Sequence, residues 1–589
     1  MSKSIHNISS KKILILIVFI QAIYISLFFA FNKEGYHSDE IWNYAFANSS
    51  EYKHIYTLDD LNLNNCLEWM DSKILLDYIS VDKSEIFSYK PIYENASSDL
   101  NPPLHYMLLH FICSFFPNEW SKWFCFIINI ISFIIGQFYL YKLTEDVSKS
   151  SVTAYSGIIL YGLGIGIINI TSFLRIYAMG VCFTIMFLYY SNKVFELRRE
   201  PKKQNKYILI SAIVCLLGAL TVHLFLTVAF IIVFMYSVYY LFSKNIKLLF
   251  KYGLSMSLSV LISIMLFPTS MTHLSITSTN SQVKKYPTLF QFKIYLSYLT
   301  KDVSGIHISV MPTMTLSYIK LAIMILLFLF IPFSFIARNE AWFKNLKERV
   351  KNKFKLLFYN IKKLPYLIIL LFVSIIFFIY ISAKNTSIFR MGKYSRRYIF
   401  FLYPLFAILI VLCIHYVILF FTKNKKLHNI LILAISFICV SLTYVYSYDY
   451  FSMKHQSVGI TFDDIEKDAN CILVFNEIWL MTCATNEFYD TNSFYATRYK
   501  DYRQNNYSEN LDTSKPLYLI LDVEAISDSD NENKEIAEIN FEDFPYGIYN
   551  FDQKNIILEY YKNLPISTKL EFVGIDVLYN RTFEIYKLN

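Results

Sequence analysis

The sequence predicts a polytopic α-helical membrane protein carrying a soluble α/β domain at its C-terminal end. Three observations predict it. Of 589 residues, 55% are hydrophobic and only 17% charged, with a mean hydropathy of +0.37; soluble chains of this size are more polar. Apolar runs of about twenty residues recur, the length that crosses a hydrocarbon core of about 30 Å. After Tyr448 the chain turns polar and acidic, with about 13 net negative charges there against about 22 net positive before it.

The runs place about eleven spans, at roughly 13–31, 123–141, 152–170, 173–191, 207–224, 226–242, 249–267, 316–337, 365–383, 398–421 and 428–447. The first run is too long for a cleavable signal peptide, and no small-residue cleavage site follows it. Basic clusters test the order: Lys11-Lys12, Lys193 to Lys206, Lys244 to Lys251, Arg338 to Lys363, and Lys423-Lys425-Lys426. With these spans every cluster falls on one side, which the positive-inside rule makes cytoplasmic. The N-terminus is then cytoplasmic and the C-terminal domain extracytoplasmic. The formal net charge of +9 is therefore a topology signal. No basic stripe or stacking motif accompanies it, so nucleic acid is not an expected partner.

The segment from Pro102-Pro103 to Pro117 is apolar but only about 14 residues long between its prolines, roughly 21 Å as a helix. Counting it as a span would also flip every later basic loop. It reads as a re-entrant or interfacial helix over 102–117, with Asn101 as N-cap and Pro102 at the first helical position. Residues 32–101 become a large first outer loop with juxtamembrane helices. Within it Leu67, Met70, Ile74, Leu75 and Tyr78 recur at helical spacing, so an amphipathic helix is expected to lie on the outer surface; an ordinary small helix packed on the loop is the alternative.

The division expected is 1–447 for the transmembrane domain and 448–589 for the soluble one. In the latter, Cys471 to Phe475, Leu517 to Leu521 and Val577 to Tyr579 read as strands. The nine cysteines show no metal-binding spacing. Whether Cys471 and Cys483 bridge or stay free is left open by sequence.

Chemistry gathers on the outer side. Just beyond the first span stands Gly35-Tyr36-His37-Ser38-Asp39-Glu40-Ile41-Trp42. Adjacent carboxylates at a membrane boundary cost free energy unless water, cations or a substrate satisfy them, although a helix N-terminus also favours acidic residues. Arg175, at the outer junction of two spans, is expensive unless it snorkels or meets an anion. Lys393, Arg396 and Arg397 put positive charge outside, against the topology bias. Guanidinium groups there suit a phosphate; lipid headgroup anchoring is the alternative.

Together these features resemble the GT-C superfamily of polyprenyl-phosphate-sugar-dependent glycosyltransferases, with the protein O-mannosyltransferases and the lipid A aminoarabinose transferase as the nearest relatives. The residues that carry the resemblance are His37-Ser38-Asp39-Glu40, Asn101-Pro102-Pro103-Leu104-His105-Tyr106, Arg175-Ile176-Tyr177, and Arg397-Tyr398 through Pro404. They cover about residues 10 to 447. Bacterial relatives often show Gln-Glu-Ala-Arg-x-Tyr where this chain has Ser172-Phe173-Leu174-Arg175-Ile176-Tyr177. The second carboxylate is missing, which leaves a divalent metal doubtful and no cofactor firmly implied.

The resemblance implies a hexosyl or pentosyl transferase. It would move a sugar from a polyprenyl-phosphate donor to a glycan, lipid or protein acceptor on the outer face, with inversion. Asp39 is the expected general base, since a carboxylate near apolar helices gains basicity; Glu40 is a weaker candidate that orients or assists it. Arg175, Lys393, Arg396 and Arg397 would hold the donor phosphate. His37, His105, Tyr106 and Tyr177 would line the acceptor site. The richness in Lys, Asn, Ile and Tyr points to an AT-rich bacterial genome, hence undecaprenyl phosphate as the carrier. A transporter or a lipid or polysaccharide flippase is the main rival, and a non-catalytic scaffold the second. Midplane charges and paired broken helices, which mark transporter sites, are scarce in the sequence.

Reporters fused after Lys203, Lys351 and Lys425 should report cytoplasm, and one after Asn589 the outside. A cytoplasmic signal from the last fusion would refute the parity argument and make 102–117 a true span.

Overall fold

The computed structural model describes residues 2–33, 35–50, 69–98, 101–197, 200–272, 288–306, 365–384, 392–422, 424–446, 458–475, 481–498, 507, 509–522, 558–562, 569–578 and 581–588. The helices of the first half are α1 (Ser2–Asn32), α2 (Ser38–Asn48), α3 (Lys73–Ile79), α4 (Tyr89–Ser98), α5 (Leu104–Cys113) and α6 (Lys122–Ser148). Then come α7 (Ser151–Leu163), α8 (Ile165–Ser172), α9 (Tyr177–Glu196), α10 (Pro201–Ala219), α11 (His223–Phe242) and α12 (Ile246–Leu266). The later ones are α13 (Thr288–Ser304), α14 (Pro365–Lys384), α15 (Tyr403–Phe421), α16 (Lys425–Tyr446) and α17 (Met481–Phe488), with a 3₁₀ segment, Gly392–Leu402, ahead of α15. The strands are β1 (Met70–Asp71), β2 (Val458–Gly459), β3 (Asn470–Phe475), β4 (Ser493–Arg498), β5 (Leu517–Asp522), β6 (Leu570–Leu578) and β7 (Arg581–Leu588).

Contacts divide the chain into two units. One comprises Met1–Leu27, Asn129–Thr171 and Ile176–Tyr450; the other comprises Phe28–Ile128, Ser172–Arg175 and Phe451–Asn589.

The first unit is the helical bundle. Among the described residues of the whole chain, seven helical segments are long and apolar enough to cross a membrane, or eight if the bent pair α7–α8 is one span. The seven cover the expected runs at 13–31, 123–141, 226–242, 249–267, 365–383, 398–421 and 428–447. The expected span at 152–170 is broken at Gly164, where α7 and α8 meet at 56°. The runs at 173–191 and 207–224 appear as α9 and α10, which are not among the seven. The run at 316–337 lies outside the described residues, so eleven spans are not reproduced one for one. The helix α13 falls in a stretch that the sequence left as an outer segment.

Polar side chains tie the bundle inside. Gln21 Nε2 and Gln137 Nε2 both donate to the Ile158 carbonyl, at 2.8 and 3.3 Å, and Gln137 Nε2 also reaches Gln21 Oε1 at 3.2 Å. In lipid such bonds join helices because water is not there to compete. Gly162 makes room for them: a Cβ there would stand 2.0 Å from Gln137 Nε2. Any larger residue would push the glutamines off their shared carbonyl.

The second unit holds one seven-stranded sheet in the order β1-β4-β3-β5-β7-β6-β2. The strands β4, β3 and β5 run parallel, and the other pairings are antiparallel. Every residue of β3 and of β5 is buried, as expected of parallel strands covered on both faces. Ile472, Val474, Tyr495, Leu519, Leu521 and Tyr586 belong to its core. The edge strand β1 comes from the first outer loop, where Met70 pairs with Phe494.

Two expectations are corrected here. The amphipathic segment containing Met70 is a strand followed by a helix, and Leu75, Tyr78 and Ile79 of α3 are buried. Tertiary pairing with β4 has overridden the helical spacing at Met70, and one face of the helix packs on protein; Leu67 lies outside the described residues. The second correction is at the proline pair. The helix α5 begins at Leu104 with Pro103 as its N-cap and no side-chain cap bond, so Asn101 is not the N-cap and the helix ends at Cys113. The physical reason is that a proline disfavours helical backbone in the residue before it, and Pro103 holds Pro102 out of the helix. Cys471 is a buried free thiol, and the side chain of Cys483 lies outside the described residues.

Candidate functional site

Within the second unit, the site grows from the cap of α2. His37 has extended backbone and accepts a hydrogen bond at Nδ1 from the Asp39 N–H, at 3.0 Å. The Glu40 carboxylate reaches back to accept from the His37 N–H at 2.8 Å. This is a reciprocal capping box, with histidine in the place usually taken by serine or threonine. It satisfies helix-end N–H groups that nothing in the helix can pair.

Glu40 does more than cap. Both its oxygens accept from Lys33 Nζ at 2.8 Å, and Oε1 also accepts from the Leu174 N–H at 2.8 Å. Lys33 and Glu40 are sealed from solvent, with side-chain exposures of 0% and 1%. Burial pushes the Glu40 carboxyl up from its ordinary pKa, against the pull of Lys33 and of the two N–H groups. Burial likewise pulls the Lys33 amine down, against Glu40. The ion pair is therefore committed to the fold. It joins three segments: the residue after α1, the start of α2, and the link between α8 and α9.

That link carries Arg175. It lies between the helices, two residues before α9 begins, and its Nη1 donates to the Asp39 carbonyl at 2.9 Å. Asp39 keeps 13% of its side chain exposed, and its Oδ1 stands 3.8 Å from His37 Nδ1. His37 packs edge-on to Phe173 at 5.9 Å. Of the two neighbouring carboxylates, Asp39 is the one that solvent reaches more.

Behind this surface, His105 Nε2 is 3.2 Å from Asn43 Nδ2 and 3.7 Å from Cys125 Sγ. Burial, and then the Arg175 charge, lower the His105 pKa to about 3, so the ring is neutral at physiological pH. Tyr106 is fully buried and packs against Phe46 at 5.4 Å.

The first unit holds the other candidates. On the 3₁₀ segment, Arg396 lies over the Tyr298 ring at 4.5 Å, and its Nη1 is 3.4 Å from Asp302 Oδ1. Tyr403 OH donates to Asp302 Oδ2 at 2.6 Å. Arg397 lies over the Tyr398 ring at 5.2 Å. Tyr177 packs edge-on to Phe400 at 6.0 Å. Lys393 belongs to the 3₁₀ segment, and its side chain lies outside the described residues.

The structure thus gathers Asp39, Glu40, His37, His105 and Arg175 in one unit, and Arg396, Arg397 and Tyr177 in the other. Sequence reasoning missed Lys33 and Asp302. A signal for Asp302 was present: it is the only acidic residue between Glu200 and Glu340. A solitary carboxylate in so apolar a stretch must have a partner. Among the described residues no group of three or more His, Cys, Asp or Glu side chains could hold a metal ion.

Lys33→Met should cost about 3–5 kcal/mol, because it leaves a buried carboxylate without its cation. Asp39→Asn should leave stability close to wild type, since its side chain reaches solvent. Thermal unfolding of the detergent-purified protein distinguishes the two; equal losses would refute the division of roles.

No protein-family profile matches the chain. No curated protein matches it by sequence either. Solved structures similar to it include the following two. One is the archaeal oligosaccharyltransferase AglB from Archaeoglobus fulgidus, in complex with an inhibitory peptide and a dolichol-phosphate. That similarity has 12% identity and a TM-score of 0.42, covering 87% of this chain and 70% of AglB. The other is ArnT from Cupriavidus metallidurans bound to undecaprenyl phosphate, at 9% identity and a TM-score of 0.42, covering 97% of each chain.

Proposed function

We propose that the chain is an integral-membrane glycosyltransferase. It moves a sugar from a polyprenyl-phosphate donor, undecaprenyl in a bacterium, to an acceptor hydroxyl or amine on the outer face. The observation that carries this reading is the split between the adjacent carboxylates. Glu40 has its oxygens taken up by Lys33, His37 and Leu174, while Asp39 keeps part of its side chain in solvent beside Arg175. The motif set shared with the GT-C superfamily supports the same reading.

In this mechanism the acceptor loses its proton to Asp39 as its oxygen or nitrogen attacks the anomeric carbon. The carbon–oxygen bond to the lipid phosphate breaks on the opposite face, so the anomeric centre inverts. Arg175 offsets the charge that grows on the leaving phosphate; Lys393, Arg396 and Arg397, which the sequence offers for the same role, belong to the first unit. Glu40 holds the loop of Arg175 and the start of α2 in register, so its contribution is positional. His37 orients Asp39, with Nδ1 bonded to the Asp39 N–H. His105 and Tyr106 are buried and shape the acceptor side from behind; Tyr177 follows Arg175 into α9. In this reading the soluble domain, 448–589, shares the outer side with the acceptor.

Asp39→Asn should lower turnover about 10²–10⁴-fold, the usual cost of losing a general base. The loss should appear in turnover at saturating donor and leave donor affinity nearly unchanged, because the base acts in the transition state. The measurement is sugar transfer from a polyprenyl-phosphate donor by purified, reconstituted protein. Near-normal turnover of Asp39→Asn would remove the catalytic assignment. A wild-type protein without transfer that moves lipid between leaflets would favour the flippase.

A further inference from the structure

The helix α5 is built inside out. Its buried face carries His105, Tyr106, His110 and Cys113 together with Leu109. Its open face carries Leu104, Met107, Leu108, Phe111, Ile112 and, just past its end, Phe115. A helix beside water puts its polar residues on the outer face, whereas one beside lipid turns them inward. The inner face meets α2: His105 Nε2 stands 3.2 Å from Asn43 Nδ2, and His110 Nδ1 is 2.8 Å from the Ala47 carbonyl oxygen. A second segment widens the open face. Phe87 precedes α4 with φ at +57°, a left-handed backbone that bulky residues rarely adopt, and its N–H donates to Ser114 Oγ at 3.0 Å. There its ring lies 5.8 Å from Phe111 and 5.3 Å from Phe115, which are themselves 5.2 Å apart. Phe116 extends the surface, stacked on Phe124 of α6 at 5.0 Å. These four phenylalanines, Phe87, Phe111, Phe115 and Phe116, are between 42% and 60% exposed.

We propose that Phe87, Phe111, Phe115 and Phe116 form a docking surface for the outer leaflet of the bilayer, and that through α5 this surface fixes the height of Asp39 above the lipid. Two observations commit the face to lipid. One is the inverted pattern of α5. The other is continuity with a span: α6 is long and apolar enough to cross a membrane, and its first turns are exposed at Trp123 and Ile127, on either side of the residue that Phe116 stacks upon. The ten residues of α5 make a rod about 15 Å long, about half a hydrocarbon core, so it rests along the bilayer and does not cross it. Aromatic rings suit that depth. The height-setting role rests on the reading of the chain as a polyprenyl-phosphate-dependent transferase. The donor's own chain holds its reacting carbon at the headgroup level, so the base has to be held at a matching depth.

The test is photocrosslinking of the full chain in phosphatidylcholine liposomes, with p-benzoylphenylalanine installed in place of Phe111 or of Phe115. Both positions should form adducts with lipid on irradiation. The same group in place of Lys467, in the soluble domain with 83% of its side chain exposed, should form none. Covalent dimers of the chain in place of lipid adducts overturn the proposal in favour of a second copy on this face. Adducts no more abundant than at position 467 overturn it in favour of water. Phe115→Ser withdraws one ring from lipid and should lower turnover in the same liposomes about tenfold. Phe115→Leu should stay close to wild type, with thermal unfolding unchanged in both variants. Equal losses in the two, or no loss in Phe115→Ser, overturn the height-setting role. A wild-type chain that forms the lipid adducts and transfers no sugar removes the transferase reading and leaves the docking surface standing.

Discussion

The buried ion pair between Lys33 and Glu40 is the interaction on which the candidate site depends. Taking both charges out of water is costly, and their mutual attraction offsets that cost only if the remaining lone pairs are satisfied. Here they are: the His37 and Leu174 N–H groups complete the carboxylate. The Lys33 carbonyl accepts in turn from Lys122 Nζ at 2.7 Å, which ties in the start of α6. A hydrophobic pair of similar volume would pack as well but could not specify so many partners at once. The pair joins segments more than 130 residues apart in sequence, and Asp39 and Arg175 are carried on those segments.

The two units meet the cost of buried polarity differently. In the bundle, polar side chains are spent on backbone carbonyls, as with Gln21 and Gln137 on Ile158, or on each other, as with Tyr24 and Tyr444, whose hydroxyls lie 2.7 Å apart. Among the described residues, Asp302 and Arg396 form a buried charged pair there. In the second unit the sheet satisfies its own backbone, and apolar alternation is replaced by continuous apolar runs in β3 and β5.

A proton-transfer role asks for a carboxylate that is partly desolvated and still accessible. Asp39 meets both conditions because its neighbour does not. On a helical turn adjacent residues point about 100° apart, so Glu40 turns inward to Lys33 as Asp39 turns outward. Had the order been Glu-Asp, the longer side chain would face solvent and the shorter could not span the distance to Lys33 and Leu174 together.

Much was legible from sequence alone. Long apolar runs can only be helices in lipid, so the positions of most bundle helices followed from composition. Continuous apolar strands marked β3 and β5, and the acidic pair after the first run marked the cap of α2. Long-range partners were not legible. Nothing local says that Lys33 lies against Glu40, that Leu174 offers its N–H to that carboxylate, or that Asp302 sits between Tyr403 and Arg396. Met70 shows the limit most plainly: its spacing with Ile74 is helical, yet pairing to Phe494 makes it a strand. Sequence by itself determined which segments are apolar, where charge had to be explained, and which residue types were present to explain it. Only the tertiary structure decided which charges neutralise one another, because a buried ion pair is set by distance between segments that the chain's order does not reveal.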